Sequence, residues 1–256
     1  MPDPNSTGVT IVTGGASGIG AAVATTLSER GHHIVVADLD TERSAAAAAA
    51  LPGADHLGIG TDVRSSASVD ALIASTVQRF GRVDNVAACA GIVDPSPSHS
   101  VTDESIERLL DIHLMGTIRI ARAAYPYLKE ADNGGSIVAM SSMGAHLGIP
   151  ERLGYCAAKG GIEATVKTLA VEWAPDHIRV NAVAPGWVRT PAIAKLIDDG
   201  FLDTTPVVTR TPMNRFAEPS EIAEVIAFLL SPAAGYITGQ AVVADGGMTV
   251  QGPWPK

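Results

Sequence analysis

Short apolar runs alternate along the chain with longer stretches in which apolar residues recur every three or four positions. The first run, residues 9–13, is rich in β-branched side chains and ends in two glycines, and residues 18–30 then show helical spacing. This order predicts a strand, a glycine turn and a helix.

The alternation continues to about residue 183. Such repetition is typical of parallel strands joined by crossover helices that cover both faces of the sheet. The pattern therefore predicts a mainly parallel α/β sheet. The further predicted strands and helices are 34–37 and a helix from Thr41, 57–60 and 66–80, 83–88 and 102–128, 136–140 and 155–173, and a strand at 178–183.

One segment interrupts the alternation after the sixth strand. Residues 186–219 form a long, irregular stretch that contains four prolines. Loops at the carboxyl edge of an open parallel sheet bind ligands, so we predict a substrate lid at about residues 187–213. No linker or internal repeat divides the sequence, and residues 1–256 are predicted to form one domain.

Composition and charge narrow the class of protein. Hydrophobic residues make up 46% and charged residues 18% of the chain, which is typical of a globular protein. The net charge of −9, without a Lys/Arg cluster, argues against nucleic acid as a partner. The sequence has no apolar run of roughly 18 residues and no secretory signal pattern, so we expect no membrane contact and a cytoplasmic location. The two cysteines lack metal-ligand spacing, so free thiols and no metal are expected.

The glycine-rich turn after the first strand is a candidate phosphate-binding site. Backbone N–H groups at a helix N-terminus can bind a pyrophosphate, although a tight turn without a ligand has the same sequence pattern. Asp38 ends the second strand, where a carboxylate accepts hydrogen bonds from the adenosine ribose and repels a 2′-phosphate. No Lys or Arg lies between Gly14 and Gly20. We therefore predict NAD rather than NADP.

Asp62 follows the third predicted strand. Its carboxylate could accept a hydrogen bond from the adenine amino group. A turn or a cap before the helix at residue 66 is the simpler interpretation.

A phenol and an ammonium group lie one helical turn apart in the second half of the chain. Tyr155 and Lys159 have the i, i+4 spacing that places two side chains on one helix face. A tyrosine with a pKa of about 10 needs a nearby cation before it can exchange protons with an alcohol near neutral pH. Ser142 follows the strand 136–140, at the same sheet edge, where its hydroxyl could contact a substrate oxygen or simply cap a loop.

Together these motifs resemble the short-chain dehydrogenase/reductase family from about residue 8 to residue 250. The resemblance implies a single-domain Rossmann-type doubly wound parallel sheet of about seven strands, with helices on both faces and the last strand near 241–244. It also implies a homotetramer. The matching positions are residues 13–20, Asp38, Asp62-Val63, Ala90-Gly91, Ser142, Tyr155, Lys159, 181–186, 215–222 and 236–247.

The resemblance also implies roles for individual residues. Tyr155 is expected to be the general acid/base, and Ser142 to orient the substrate oxygen. Lys159 is expected to bind the nicotinamide ribose and to lower the tyrosine pKa. Substrate contacts are expected from Ser142, Tyr155, His146 and Trp187. The implied cofactor-binding residues are Gly14, Ser17, Gly18, Ile19, Gly20, Asp38, Leu39, Asp62, Val63, Cys89, Ala90, Gly91, Tyr155, Lys159, Pro185, Gly186, Val188 and Thr190.

Two positions depart from the family pattern. Ala88-Cys89 replaces a pair of asparagines, and we interpret Cys89 as a small buried side chain in the space of an amide rather than as a redox-sensitive thiol. His113 stands where the family has the asparagine that helps to hold a water molecule linking the lysine to solvent. An imidazole with a pKa of about 6.5 could carry protons itself. Our hypothesis is a working catalytic relay in which His113 takes part.

These features predict an NAD-dependent dehydrogenase that interconverts a secondary alcohol and a ketone. Oxidation of a cyclic or medium-sized alcohol, diol or sugar-like compound is the favoured direction. One alternative is a 3-oxoacyl thioester reductase, although Asp38 argues against it because such reductases typically use NADPH. Another is a non-enzymatic dinucleotide sensor or scaffold.

Overall fold

A seven-stranded sheet forms the centre of the protein. The structure, a computed structural model, describes residues 8–53 and 55–252. All strands are parallel, in the order β3-β2-β1-β4-β5-β6-β7. The strands are β1 (Val9–Thr13), β2 (His33–Asp38), β3 (Leu57–Gly60), β4 (Asn85–Ala88), β5 (Ser136–Met140), β6 (Arg179–Pro185) and β7 (Ala241–Ala244).

Helices cover both faces of this sheet. Residues of α3, α5 and α6 pack into the apolar core on one face, and α1 and α9 supply the core of the other face. The predicted single-domain doubly wound α/β fold is confirmed. The helices are α1 (Gly18–Glu29), α2 (Thr41–Ala49), α3 (Ser66–Phe80), α4 (Asp103–Leu110), α5 (Gly116–Leu128), α6 (Leu153–Trp173), α7 (Pro191–Asp198), α8 (Thr205–Arg210) and α9 (Pro219–Leu230).

The central strands are apolar because both of their faces are covered. Successive side chains of a strand point to opposite faces. Ile11 and Val35 pack on the side of α3, α5 and α6, whereas Val12 and Val36 pack on the side of α1 and α9. Burial on both faces therefore requires the unbroken apolar runs by which the strands can be recognised in the sequence.

Two segments differ from the sequence-based expectation. The helix predicted over 102–128 is divided into α4 and α5 by a π-helix at Asp111–Met115. The predicted irregular lid contains two short helices, α7 and α8. A threonine followed by a proline stands at the start of each helix, and both residue types favour a helix N-terminus. The sequence therefore contained a signal for both helices.

The order of the strands places a crevice at one edge of the sheet. The strand order reverses between β1 and β4, so the connections that leave these two strands run to opposite faces of the sheet. Ligands of open α/β sheets bind at such a reversal, outside the carboxyl ends of the strands. The loops after β1, β2, β4, β5 and β6 all meet there. Among the described residues, no helix is long and apolar enough to cross a membrane.

Candidate active site

The glycine turn after β1 packs closely against the loop after β4. Gly14 has a φ of +67°, and a Cβ on it would lie 2.8 Å from the Cα of Ala90. The Ala90 N–H donates to Thr13 Oγ1 over 3.3 Å. Only glycine allows this approach, because a side chain would meet the neighbouring backbone. The turn is thereby fixed at the crevice, in front of the N-terminus of α1.

Asp38 lies against the same turn at the end of β2. Its Oδ2 accepts a hydrogen bond from the Ala16 N–H over 3.2 Å, and its Oδ1 accepts one from the Leu39 N–H over 2.8 Å. Leu39 is exposed beside it. The carboxylate is therefore held at the far end of the glycine turn, where the sequence predicts the adenosine ribose.

Asp62 makes a turn, as in the simpler of its two interpretations. Its Oδ1 accepts from the Arg64 N–H over 2.9 Å, and the Arg64 guanidinium contacts both carboxylate oxygens. These bonds hold the pKa of Asp62 below its ordinary value. The cap of α3 is Ser65, not Asp62. Val63 follows, and its carbonyl accepts from Arg119, a contact that sequence analysis did not anticipate.

Tyr155 and Lys159 lie together on α6, as predicted. Lys159 Nζ is 5.5 Å from the centroid of the Tyr155 ring and donates to the Met140 carbonyl over 2.6 Å. Lys159 is 2% exposed, and burial lowers its pKa to about 7. The ammonium is therefore easily deprotonated in this environment.

The pKa of Tyr155 departs from the expectation. Burial raises it above the ordinary value, and the hydrogen bond with Ser142 and the positive charge of Arg152 lower it by smaller amounts. Desolvation of the phenolate outweighs both of these contributions, and no lowering of the Tyr155 pKa by Lys159 is resolved. Ser142 is buried, and its Oγ accepts from the Gly144 N–H over 3.0 Å.

His113 lies in the π-helix with its ring against that of Tyr155. The rings of His113 and Tyr155 are edge-on, with centroids 5.3 Å apart. Its Nε2 is 2.8 Å from the Ile92 carbonyl and 3.3 Å from the Ile92 N–H. A Cβ on Gly91 would lie 2.4 Å from His113 Cε1, so glycine is required where the imidazole passes the chain.

The imidazole of His113 does not have the ordinary pKa assumed from the sequence. Burial, with the nearby Lys159 charge, lowers its pKa to about 3. His113 is therefore neutral near neutral pH and cannot carry a proton as an imidazolium. The shorter Nε2 contact indicates that Nε2–H donates to Ile92, which leaves Nδ1 as an acceptor. Among the described residues, Nδ1 has no hydrogen-bond partner.

The remaining predicted cofactor contacts lie around the same crevice. Cys89 is partly exposed, and desolvation of its thiol raises its pKa to about 12, so the thiol stays protonated near neutral pH. Gly186 follows β6, and a Cβ on it would lie 2.8 Å from the Cα of Asp245. Thr190 caps α7, and a Cβ on Gly18 would lie 3.5 Å from its Cγ2. The segment that follows β6 therefore lies against the glycine turn.

The predicted substrate contacts are more scattered. His146 Nε2 lies 3.0 Å from Glu163 Oε1, so its ring is engaged within the protein. Trp187 stands edge-on to Phe216 and lines a cavity of about 640 Å³, whose lining does not include Ser142 or Tyr155. Glu163 and its contacts were not anticipated, although its spacing of eight residues from Tyr155 is visible in the sequence.

The residues present fit a dinucleotide. The crevice offers a tight glycine turn at a helix N-terminus, a fixed carboxylate at Asp38 and a buried lysine whose pKa is lowered by the absence of solvent. Within the described chain, the side chain of Ser17 makes no capping bond to α1 and is available to a ligand. No cluster of metal-ligating side chains occurs among the described residues.

Comparison with known proteins identifies the family. A family model described as enoyl-(acyl carrier protein) reductase matches residues 14–249. Cis-4-hydroxycyclohexanecarboxylate dehydrogenase of Sinomonas cyclohexanicum is 39% identical and covers 94% of this chain and 96% of its own. The 3-oxoacyl-[acyl-carrier-protein] reductase of Thermotoga maritima is 33% identical, with 94% and 98% covered. A crystal structure of levodione reductase superposes with a TM-score of 0.88 at 31% identity and covers 95% of this chain and 98% of that one.

The chain belongs to the short-chain dehydrogenase/reductase family. It is an oxidoreductase that acts on CH–OH groups with a nicotinamide cofactor.

Proposed function

We propose that this protein is an NAD-dependent dehydrogenase that oxidises a secondary alcohol. The observation that carries the proposal is the placement of Ser142, Tyr155 and Lys159 at the sheet edge where the glycine turn and Asp38 also lie. The substrate class we propose is a cyclic or medium-sized alcohol, diol or sugar-like compound. The similarity to a dehydrogenase of a hydroxycyclohexane carboxylate supports a cyclic alcohol.

The chain's own residues account for the proton chemistry. The Tyr155 hydroxyl exchanges a proton with the substrate oxygen, and Ser142 fixes that oxygen by a hydrogen bond. Lys159 would bind the nicotinamide ribose. When Lys159 is protonated, its positive charge favours the phenolate form of Tyr155. The bound cofactor supplies the hydride chemistry, and the protein supplies position and electrostatics.

His113 belongs to the proposed relay as a neutral group. Because Nε2–H is engaged by Ile92, the free Nδ1 is placed to accept a hydrogen bond from a water molecule near Lys159. A water molecule there would connect the ammonium group with solvent. The relay then works through hydrogen bonds, without a charged imidazole.

Arg152 is a candidate anchor for a polar substituent of the substrate. It lies at the residue before α6, three residues before Tyr155, and its charge acts on the Tyr155 hydroxyl. Within the described residues, its guanidinium forms no salt bridge and donates only to the Glu151 carbonyl. A carboxylate on the substrate would give it a charged partner.

The preference for NAD is supported by Asp38. The carboxylate already accepts from Ala16 and Leu39, so it is held in place and cannot turn away from an added phosphate. A 2′-phosphate brought to this position would meet a fixed negative charge.

A 3-oxoacyl thioester reductase is the second candidate. It is favoured by the description of the matching family model and by the similarity to the Thermotoga maritima reductase. Reduction of a 3-oxoacyl thioester with NADPH, at a higher kcat/KM than any alcohol oxidation with NAD, would establish it. Binding of NADH without turnover of any alcohol, ketone or thioester would instead favour a sensor or scaffold.

A homotetramer is also proposed. Large apolar side chains such as Val171, Phe228 and Tyr236 are exposed in the single chain, and burial against further copies would remove them from water. Sedimentation equilibrium would give four times the chain mass, and a monomer at micromolar concentration would contradict the proposal.

The first test combines cofactor, substrate and the active tyrosine. The purified protein is mixed with NAD or NADP and a panel of secondary alcohols, cyclic diols and sugars near pH 9, and absorbance of the reduced nicotinamide is followed. We expect reduction of NAD, much slower reduction of NADP, and loss of at least about 100-fold in kcat for Tyr155→Phe. Tyr127→Phe is the control, because Tyr127 lies near the end of α5, away from the glycine turn and from Tyr155.

The Asp38 argument has its own variant. Asp38→Asn keeps an oxygen that can accept from Ala16 but removes the charge, so the ratio of kcat/KM for NADP to that for NAD should rise about 10-fold or more. Asp40→Asn removes a charge two residues away, at the cap of α2, and should leave the ratio unchanged. A ratio that responds equally to both variants would contradict a specific role of Asp38.

A further inference from the structure

Ser142 lies in a short segment whose backbone forms a turn. Residues 141–146, here called the Ser142 segment, follow β5 and contain a 3₁₀ turn at Met143–Ala145. Ser142 caps the start of this turn, and its Oγ accepts from the Gly144 N–H. The position of the hydroxyl therefore depends on how the segment is held against the rest of the site.

One carboxylate oxygen contacts both ends of the Ser142 segment. Glu163 Oε1 accepts a hydrogen bond from Ser141 Oγ over 2.7 Å and lies 3.0 Å from His146 Nε2. The Glu163 side chain is only 13% exposed, and Ser141 is 1% exposed. A largely buried carboxylate with a hydrogen-bond donor on one side and an imidazole in contact on the other is oriented by them, because leaving it without a partner would be costly.

Glu163 also belongs to the helix that carries the active tyrosine. It lies one turn after Lys159 and two turns after Tyr155 on α6, so the three side chains share one side of the helix. Lys159 donates to the Met140 carbonyl, and Glu163 accepts from the next residue, Ser141. Successive turns of α6 thus hold successive residues at the end of β5.

We propose that Glu163 is a positioning residue, which fixes the Ser142 hydroxyl relative to the Tyr155 hydroxyl by holding Ser141 and His146. This inference rests on the proposed function of Ser142 and Tyr155. It gives His146 a role inside the protein, as the second side chain in contact with Glu163 Oε1. A shift of about 1 Å in a positioned catalytic group can reduce turnover by about 100-fold, so such a clamp has a measurable effect.

The kinetic test compares three variants on α6. Glu163→Ala removes both contacts and should lower kcat by about 10- to 100-fold, with the dissociation constant of NADH unchanged within about 2-fold. Glu163→Gln keeps an oxygen that can accept from Ser141, and should retain kcat within about 5-fold of the wild type. Glu172→Ala, at an exposed position of the same helix, should behave as the wild type.

A second variant tests the path of the effect. Ser141→Ala should lower kcat in the same direction, and the double variant Glu163→Ala with Ser141→Ala should lose less than the product of the two single losses. Wild-type kcat in Glu163→Ala would overturn the proposal. The proposal would also be overturned if the loss of kcat came with weaker NADH binding and a lower unfolding midpoint, and if Glu163→Gln lost as much kcat as Glu163→Ala.

A measurement without turnover separates this proposal from the proposed function. The 13Cζ NMR signal of Tyr155, assigned by its loss in Tyr155→Phe, reports the hydrogen bond with Ser142, and Ser142→Ala gives the reference shift. Glu163→Ala should move the signal most of the way to that reference even if no alcohol is oxidised. A signal at the wild-type position would overturn the role of Glu163, and absence of alcohol turnover with a shifted signal would overturn only the proposed function.

Discussion

Lys159 is the residue whose burial conflicts most with its charge. It lies in the interior with the Met140 carbonyl as its hydrogen-bond acceptor, and its pKa is lowered to about 7. An unfolded lysine keeps its ordinary pKa of 10.5. Between these two values the unfolded chain binds a proton that the folded chain has released, so the free energy of unfolding rises with pH in this range.

Lys159→Met should therefore stabilise the protein while it removes activity. The gain in the free energy of unfolding is largest below about pH 7. It reaches about 3–5 kcal/mol there, because each unit of difference between the two pKa values contributes about 1.4 kcal/mol. It should disappear as the pH rises through about 10.5. Urea unfolding at pH 6, 8 and 10 measures it, with Lys167→Met as the exposed control on α6. An equal effect of Lys159→Met at all three pH values would contradict the titration of this lysine.

His113 gives a prediction about the relay at the same scale. His113→Asn can keep a bond to Ile92 but places no acceptor at the position of Nδ1, so turnover should fall about 5-fold or more while the NADH dissociation constant is unchanged. The pH–rate profile of the wild type should show no His113 inflection above about pH 4, because its pKa is about 3. Unchanged turnover in His113→Asn would make the histidine a tolerated replacement and no part of a relay, and a His113 inflection above about pH 4 in the wild type would contradict its neutral state.

At the scale of elements, the Arg179 side chain connects the end of α9 to the sheet. Arg179 at the start of β6 donates to the carbonyls of Leu229, Leu230 and Ser231 over 2.6, 3.1 and 3.1 Å. The last carbonyls of a helix have no partner within it, and a cation near them also opposes the helix dipole. Burial lowers the pKa of Arg179, but an arginine remains charged.

Arg179→Met should lower the free energy of unfolding without direct damage to the active site. Loss of three hydrogen bonds to a charged donor is expected to cost about 2–4 kcal/mol. Urea unfolding measures this loss, and kcat well below the unfolding temperature should stay within about 2-fold of the wild type. Arg43→Met, at an exposed position of α2, is the control. A large fall in kcat in the folded variant would show that the end of α9 affects catalysis.

The break between α4 and α5 lies at the position of His113. The sequence predicts one helix over 102–128, because its apolar spacing continues through the break. The structure inserts a π-helix at Asp111–Met115, which carries His113, and the Thr117 hydroxyl donates to the His113 carbonyl over 2.7 Å. Such single-turn π-helices often occur at functional sites, and a periodicity analysis does not detect one extra residue in a turn.

At the scale of the whole molecule, the fold was predictable because its signals are local and repeated. Strands buried on both faces require continuous apolar runs, and the bounds of β1, β3, β5 and α3 agree with the sequence pattern. The strand β1, the glycine turn and the helix α1 were predictable for the same reason, because their signals follow one another in the sequence. The parallel order then places all the loops of the site at one edge.

The sequence by itself determined the doubly wound fold, the family and the residues that it shares with that family, because these depend on residue type and spacing along the chain. Only the tertiary structure decided the charge state of His113, the raised pKa of Tyr155 and the contacts of Glu163 with both ends of the Ser142 segment. These properties depend on burial and on partners far away in the sequence. Desolvation and hydrogen bonding act only after the chain has brought those groups together.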